Sequence, residues 1–218
     1  MCFSPGADVV VGGIVVAVGV DALRQVREPK QIVLASLPLL FGLHQIDEAF
    51  VWWGLQGRVS ESIGRVGVWI YMLFALAALP VLVPIAVLAV ERSAGRRRLI
   101  AALAALGIGV GVALGVSLFR GSVDAVIDGR HIAYDVSALA QGRELTALYV
   151  VAACGALIAS SHRDLAALGA LNLVVVPVLM WLTVSGFISL WCFWAAMVSV
   201  VIDVHLRRTS AVQLAHVT

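Results

Sequence analysis

The sequence predicts an all-α membrane protein: a single bundle of about seven transmembrane helices, with the N-terminus outside and the C-terminus in the cytoplasm. The chain has 218 residues, of which 61% are hydrophobic and only 13% charged. Its mean hydropathy is +1.02. A soluble domain of this length would need far more polar residues to cover its core. Seven apolar runs recur, each near the ~20 residues that cross the hydrocarbon core of a bilayer. The charged residues fall mainly between these runs, a pattern typical of a chain solvated by lipid.

The apolar runs define the predicted spans in order along the chain. They lie at 7–24, 32–55, 66–90, 99–118, 145–160, 165–184 and 187–206. The last two runs are so close that we expect a tight helical hairpin around Ser185-Gly186. Residues 1–218 therefore form one domain, with one longer outer loop at 119–144. Four prolines fall inside spans, where we expect kinks: Pro38, Pro80, Pro84 and Pro177.

Basic residues give the orientation, because cytoplasmic loops of membrane proteins are enriched in lysine and arginine. With the N-terminus outside, ten basic residues are cytoplasmic: Arg24, Arg27, Lys30, Arg92, Arg96, Arg97, Arg98, Arg163, Arg207 and Arg208. Five are outside: Arg58, Arg65, Arg120, Arg130 and Arg143. The bias predicts that a multi-pass membrane protein takes this orientation.

The outer loop carries a short alternating stretch, Val123 to Tyr134, which contains Asp128-Gly129. An Asp-Gly pair between two such stretches is a β-hairpin signal. The loop is either a cap over the outer mouth of the bundle or a plain connection, and the sequence favours neither.

The second span carries the strongest candidate site: His44, Asp47, Glu48 and Trp52. Each intramembrane charge costs about 2.5–3.5 kcal/mol on insertion scales, so such residues usually serve a function or a paired polar core. His44, Glu48 and Trp52 are spaced four residues apart and share one helix face. Asp47 points about 100° away, toward a neighbouring helix. The alternative is a structural hydrogen-bond cluster that clamps two helices.

The last span carries one acid, Asp203, on a stripe of small and polar residues that includes Ser189, Cys192, Ala196 and Ser199. Such a stripe lines a cavity or allows close helix packing. Asp203 also precedes Arg207 by four residues, and a surface ion pair between the two is an equal alternative. In the sixth span, Asn172 and Thr183 share a face and are candidates to donate into the bundle.

The aromatic residues lie toward the outer halves of their spans, where an interfacial belt accounts for many of them. The candidates for a pocket wall are Trp52, Trp69, Tyr71, Trp181, Trp191 and Trp194. An apolar site favours the neutral, protonated form of a carboxyl group. Aromatic faces in turn stabilise a cation. An acid among aromatic rings therefore suits chemistry that begins with protonation and passes through a carbocation.

Two resemblances follow from these residues. Over nearly its whole length, the chain resembles a family of uncharacterised actinobacterial membrane proteins, which implies a bacterial cell membrane as its location. The segments that carry this resemblance are Met1-Cys-Phe-Ser4, His44–Gly54, His131-Ile-Ala-Tyr134 and Ser189-Leu-Trp-Cys-Phe193. The length, the span count and the tryptophan-rich spans also resemble the small seven-span terpene cyclases of fungal meroterpenoid and bacterial indole-terpenoid pathways. Those enzymes use an acid in the second span and an aspartate in the last, positions that Glu48 and Asp203 match here.

The second resemblance implies a metal-independent cyclase without cofactor, acting on a lipophilic prenylated substrate such as a farnesylated indole. Glu48 would protonate the prenyl chain, His44 or Asp47 would assist, the aromatic residues would shape the substrate, and Asp203 would take the final proton. The predicted topology separates Glu48 and Asp203 in depth by some 20 Å at about 1.5 Å per residue. Either a kinked or shifted helix closes this gap, or Asp203 is not part of the same site. The alternative function is a transporter or receptor that binds a proton, cation or amine at the His44, Asp47 and Glu48 cluster.

Other classes of site have little support. Cys2, Cys154 and Cys192 are widely spaced and predict neither a metal site nor a disulfide framework. The one basic run, at 96–98, lies between two spans, so we expect no nucleic-acid partner. The sequence carries no signal for the oligomeric state.

Overall fold

The computed structural model describes residues 4–129, 131–136, 143–182 and 187–215. Seven helices pack together in this part of the chain. They are α1 (Pro5–Arg24), α2 (Ile32–Leu55), α3 (Glu61–Val90), α4 (Ala94–Arg120), α5 (Arg143–Ala159), α6 (Arg163–Leu182) and α7 (Phe187–Ala215). Each predicted span coincides with one of these helices, so the predicted helical organisation is confirmed. The turn expected at Ser185-Gly186 lies outside the described residues.

Four of the helices are long and apolar enough to cross a membrane. These are α1, α2 with the turn before it (Pro29–Leu55), α3 and α4. Helix α5 is apolar but shorter, at 17 residues. Large apolar side chains also face outward, including Val10, Ile14 and Val112, each more than half exposed. Such a surface is unfavourable in water and favourable against lipid tails.

Helix α3 changes its hydrogen-bonding pattern in the middle, where Leu73–Ala78 forms a π-helical segment. The cause is Pro80, which has no N–H to donate. In a π-helix each carbonyl accepts from the N–H five residues later, so the carbonyl of Ala75 would accept from residue 80. Because residue 80 is proline, that donor is missing. The hydroxyl of Tyr149, from α5, donates to this carbonyl at 3.2 Å and replaces the missing bond. The departure from α-helical geometry therefore lies just before Pro80, and α5 stabilises it.

The predicted β-hairpin is present between α4 and α5. Strands β1 (Val123–Asp128) and β2 (His131–Val136) pair antiparallel, with Val123 opposite Val136 and Asp128 opposite His131. Gly129 has a φ of 60°, which the tight turn requires and glycine adopts without strain. Arg130 lies outside the described residues. Ile132 and Val136 are buried against residues of α2 and α3, so the hairpin is packed on the bundle as a cap. We call this end of the bundle the hairpin end.

The opposite end, here called the basic end, is tied together by Glu91. This carboxylate follows α3 and is only 3% exposed. It accepts hydrogen bonds from the backbone N–H of Ser93 at 2.8 Å and from the backbone N–H and hydroxyl of Ser161 at 2.7 and 2.8 Å. Burial acts to raise the pKa of Glu91, but the hydrogen bonds from Ser161 and Ser93 outweigh it and lower the pKa below the ordinary 4.5.

We predict that Glu91→Gln destabilises the protein at neutral pH and that the difference disappears in acid. A carboxylate whose pKa is lowered by folding contributes stability above its ordinary pKa and loses it as the pH falls through the lowered value. Thermal unfolding in detergent, followed from neutral to acidic pH, measures the effect. The gap between the melting temperatures of wild type and variant should begin to narrow near pH 4.5, the ordinary value, and should close below the lowered pKa of Glu91. A gap that is the same at every pH would contradict this role of the Glu91 charge.

Candidate functional site

The site is built on the close approach of α1 and α2, which form the most extensive helix–helix interface of the described chain. Glycines make this approach possible. A Cβ added at Gly12 would lie 2.6 Å from Cγ1 of Ile46, and one at Gly19 would lie 2.3 Å from the backbone nitrogen of Leu39. From α2, a Cβ at Gly42 would lie 2.5 Å from the backbone nitrogen of Val16. Only residues without side chains fit here, so the two backbones stay close along their length.

At the hairpin end of this interface lies a buried group that we call the carboxyl cluster: Asp8, Gln45, Asp47 and Glu48. Asp8 is 1% exposed, Gln45 is 1% exposed and Glu48 is fully buried. The amide Nε2 of Gln45 donates to Oδ1 of Asp8 at 2.9 Å and to Oε2 of Glu48 at 3.2 Å. A carboxamide has two N–H bonds, and here each serves a different carboxyl group. One amide thus holds two acids from two helices side by side.

Asp47 extends the cluster toward α3, as its helical position predicted. Its Oδ1 would lie 3.6 Å from a Cβ added at Gly67, so a glycine again makes room. Its Oδ2 is buried and makes no hydrogen bond within the part of the chain described here. The indole of Trp52 lies next to Asp8 on the other side, without forming a hydrogen bond of standard geometry. Trp52 is 3% exposed and shares the inward face of α2 with His44 and Glu48, as predicted.

An aromatic stack leads from the cluster to the hairpin. The ring of His44 stacks on Tyr71 of α3 with centroids 4.0 Å apart, and Tyr71 stacks on Tyr134 of β2 at 4.8 Å. The other neighbour of His44 is Phe74, in the π-helical segment, at 4.6 Å. Stacked rings of this kind contribute about 0.5–1.5 kcal/mol per pair beyond area burial. The stack therefore couples the position of the hairpin to the helix that carries the acids.

Asp203 lies at the basic end, far from the carboxyl cluster. Its Oδ2 accepts a hydrogen bond from Nε of Arg207 at 2.8 Å, and Arg207 also pairs with Asp21 at 2.6 Å. Asp21 and Asp8 are thirteen residues apart on α1, a separation of about 20 Å along the helix. The structure does not bring Asp203 and Glu48 into one site, and Asp203 has instead the ion pair with Arg207 that the sequence offered as the alternative.

The predicted aromatic residues that the structure describes are divided among four places. Trp52 and Tyr71 belong to the carboxyl cluster and its stack, whereas Trp69 stacks on Phe119 at 5.3 Å near the hairpin end. Trp181 is 85% exposed on the outside of α6, so it forms no part of an inner wall. Trp194 lines a separate cavity. The side chains of Ser189, Trp191, Cys192 and Ala196 lie outside the described part of the structure.

The cavity beside Trp194 is apolar and measures about 60 Å³. It lies among α2, α3, α5, α6 and α7, and its lining includes Phe41, Tyr149, Cys154 and Asn172. Neither Glu48 nor Asp47 lines it. Pockets that enclose a small organic ligand usually measure about 300–1,000 Å³, so a farnesylated indole is several times too large for this space.

Two members of the cluster, Asp8 and Gln45, were not identified as site residues from the sequence. Asp8 stands in the first turn of α1, where an acid ordinarily interacts with free backbone N–H groups and the helix dipole. A signal was nevertheless present. The buried face of α1 reads Asp8, Gly12, Val15, Gly19 and Ala22, in steps of three and four, so the stripe of small residues leads directly to Asp8.

The arrangement holds three carboxyl groups in an apolar interior, two of them on one shared donor. Ionising all three would place like charges together where water cannot solvate them. Among the described residues, no three His, Cys, Asp or Glu side chains converge as ligands for a metal ion. Carboxyl groups in such a setting can take up and release a proton.

We predict that Gly12→Ala destabilises the protein, while Gly13→Ala on the next position does not. The added methyl at Gly12 meets Ile46 and the carbonyl of Gly42 at 2.9 Å, whereas nothing lies within 4 Å of one at Gly13. Overpacking of this kind costs about 1–3 kcal/mol. Replacing an open glycine in a helix gains up to about 1 kcal/mol. Thermal unfolding of both variants in detergent gives the comparison, and equal stabilities would contradict the tight α1–α2 contact.

Comparison with known proteins gives a family but no described activity. A family model matches residues 1–217 and is described as a family of unknown function, DUF6629. No curated protein and no solved structure matches the chain. Because the match spans almost the whole sequence, the chain belongs to the DUF6629 family.

Proposed function

We propose that this protein binds and releases a proton at the carboxyl cluster, as the coupling site of a membrane transporter or sensor. The observation that supports this most directly is the Gln45 amide, which donates one N–H to Asp8 and the other to Glu48. Two acids held on one donor in an apolar interior behave as one titrating pair, whose protonation changes its net charge by a full unit. A structural clamp would need only one acid and one donor.

The proton is the cation that best fits the space. Glu48 is fully buried and Asp8 is 1% exposed, so an amine or metal ion would have to displace packed side chains. A proton needs no cavity. The stacked rings of His44, Tyr71 and Tyr134 shield the cluster, and they connect it to the hairpin as a means of transmitting a change in charge.

A cavity at the hairpin end supplies a route for exchange with solvent. It measures about 160 Å³ and is lined by residues of α2, α3 and β1, including Glu61, Arg65 and Asp124. Its floor includes Val51, one helical turn from Asp47 on α2. Asp47 precedes Glu48 in the sequence and has a buried oxygen without a hydrogen bond among the described residues. Protons from the hairpin end would therefore reach the Asp8–Glu48 pair through Asp47.

The proposal includes an orientation in the cell membrane. Apolar side chains cover the outside of the bundle, and four helices have the length and composition to span a bilayer. The ten-to-five division of basic residues favours a cytoplasmic basic end and an outer hairpin end. In this orientation the carboxyl cluster exchanges protons with the outside.

We predict that infrared difference spectra of the purified protein contain the carbonyl band of a protonated carboxylic acid that disappears as the pH rises. Glu48→Gln and Asp8→Asn should each change the pH at which this band disappears, because each leaves the other acid to titrate without its partner. The amides keep the size of each side chain and lose the proton that the acid carries. Asp128→Asn, in the exposed hairpin turn, is the matched control and should leave the signal unchanged. If both buried variants titrate like wild type, the cluster is a structural clamp.

The orientation has a separate test. In a cysteine-free background, we expect a membrane-impermeant thiol reagent added to intact cells to label Asp128→Cys. A cysteine introduced after Arg208 should be labelled only after the cells are opened. The reverse pattern would place the hairpin end in the cytoplasm and would leave proton binding itself untouched.

Terpene cyclisation, which the sequence resemblance implied, is the second candidate. It is favoured by the apolar cavity at Trp194 and by the buried acid Glu48. It requires the acid to face the cavity, and Glu48 does not line it. It would also require Asp203 to leave Arg207. A farnesylated indole converted without metal to an isomer with one solvent-derived deuterium would establish the cyclase, and inertness would leave the proton site as the better account.

A further inference from the structure

The apolar cavity carries one polar side chain whose hydrogen bonds are incomplete. Asn172 of α6 lines the cavity and is 8% exposed. Its Oδ1 accepts a hydrogen bond from Nε1 of Trp194 at 2.7 Å. An indole N–H can only donate, so this bond fixes which end of the carboxamide is oxygen. The other end of the carboxamide, Nδ2, therefore has two N–H groups to donate. Within the described part of the chain, neither has a hydrogen-bond acceptor.

The shape and chemistry of the cavity define what fits it. The rest of the lining is mainly aliphatic, with Leu37, Val83 and Leu168 among its walls. A volume of about 60 Å³ has room for about four water molecules, or for a comparably small organic molecule. Water would be poorly held, because most of the lining is apolar and provides it with no partners. A charged group has no counter-charge among these lining residues.

We propose that this cavity is a binding site for a compact, uncharged apolar molecule that carries one hydrogen-bond-accepting oxygen. The hydrocarbon part would fill the aliphatic lining, and the oxygen would accept from Nδ2 of Asn172. Trp194 acts as a positioning residue, because its bond to Oδ1 turns the donor side of the carboxamide toward the ligand. The site shares no residue with the carboxyl cluster, so it stands or fails independently of proton binding.

Cys154 gives a local readout, since it is 3% exposed and lines the same cavity. The test protein keeps this thiol and has serine at Cys2 and Cys192. The probes are 3-methyl-2-buten-1-ol and 2-methyl-2-butene, which share a branched five-carbon skeleton and differ in the hydroxyl group. Protection of Cys154 from alkylation by iodomethane, which is small enough to enter the cavity, is measured in detergent at increasing probe concentrations. Val112→Cys in a protein without Cys154 is the control, because Val112 is 61% exposed on the outside of α4.

We expect the alcohol to slow alkylation of Cys154 and to leave that of the Val112→Cys control unchanged. In Asn172→Leu the half-protecting concentration of the alcohol should rise about tenfold, as for loss of one hydrogen bond, while that of the alkene should not rise. Trp194→Phe removes the indole N–H that holds Oδ1 of Asn172, so it should also raise the half-protecting concentration of the alcohol without raising that of the alkene. The proposal is overturned if the alcohol gives Cys154 no protection, or if Asn172→Leu weakens both probes equally.

Discussion

Everything at the candidate site depends on how closely α1 approaches α2. Gly12, Gly19 and Gly42 leave no side chain between the two backbones, and Asp8 is thereby brought against the face of α2 that carries Gln45 and Glu48. A single methyl at Gly12 would separate the helices where the acids meet. The same contact that packs the helices therefore also assembles the carboxyl cluster. Packing and charge cannot be altered independently here. Gly12, which allows the close packing, and Asp8, which carries the carboxyl group, lie one helical turn apart on α1.

A proline shapes α3, the helix that carries the aromatic neighbours of His44. Pro80 removes a hydrogen-bond donor from α3, the helix adopts a π-helical segment before it, and Tyr149 completes the pattern from α5. Phe74, inside that segment, lies against His44, so the irregular turn also forms part of the aromatic wall. π-helical segments often occur at functional sites, where they set side chains that a regular helix would turn away. Here the irregularity connects the carboxyl cluster on one side with α5 and the apolar cavity on the other.

The helices and the hairpin followed from the sequence because hydropathy, loop charge and the Asp128-Gly129 turn are local signals. The inward face of α2 also followed, since four-residue spacing fixes which side chains share a side. What could not be predicted depends on contacts between helices. Asp8 reads as an ordinary first-turn acid until α2 lies beside it. Asp203 has the same spacing to Arg207 whether it serves a surface ion pair or a site, and the outward direction of Trp181 depends on the packing of α6.

The central claim is that Asp8 and Glu48 act as one unit through the amide of Gln45. A double-mutant cycle tests it directly, with the unfolding free energies of wild type, Asp8→Asn, Glu48→Gln and the double variant measured in one detergent at neutral pH. Residues in one hydrogen-bond network show coupling energies of about 0.5–3 kcal/mol, whereas independent sites add to within about 0.5 kcal/mol. Coupling of at least about 1 kcal/mol is the result that the shared proton predicts. Additive effects of the two substitutions would contradict it.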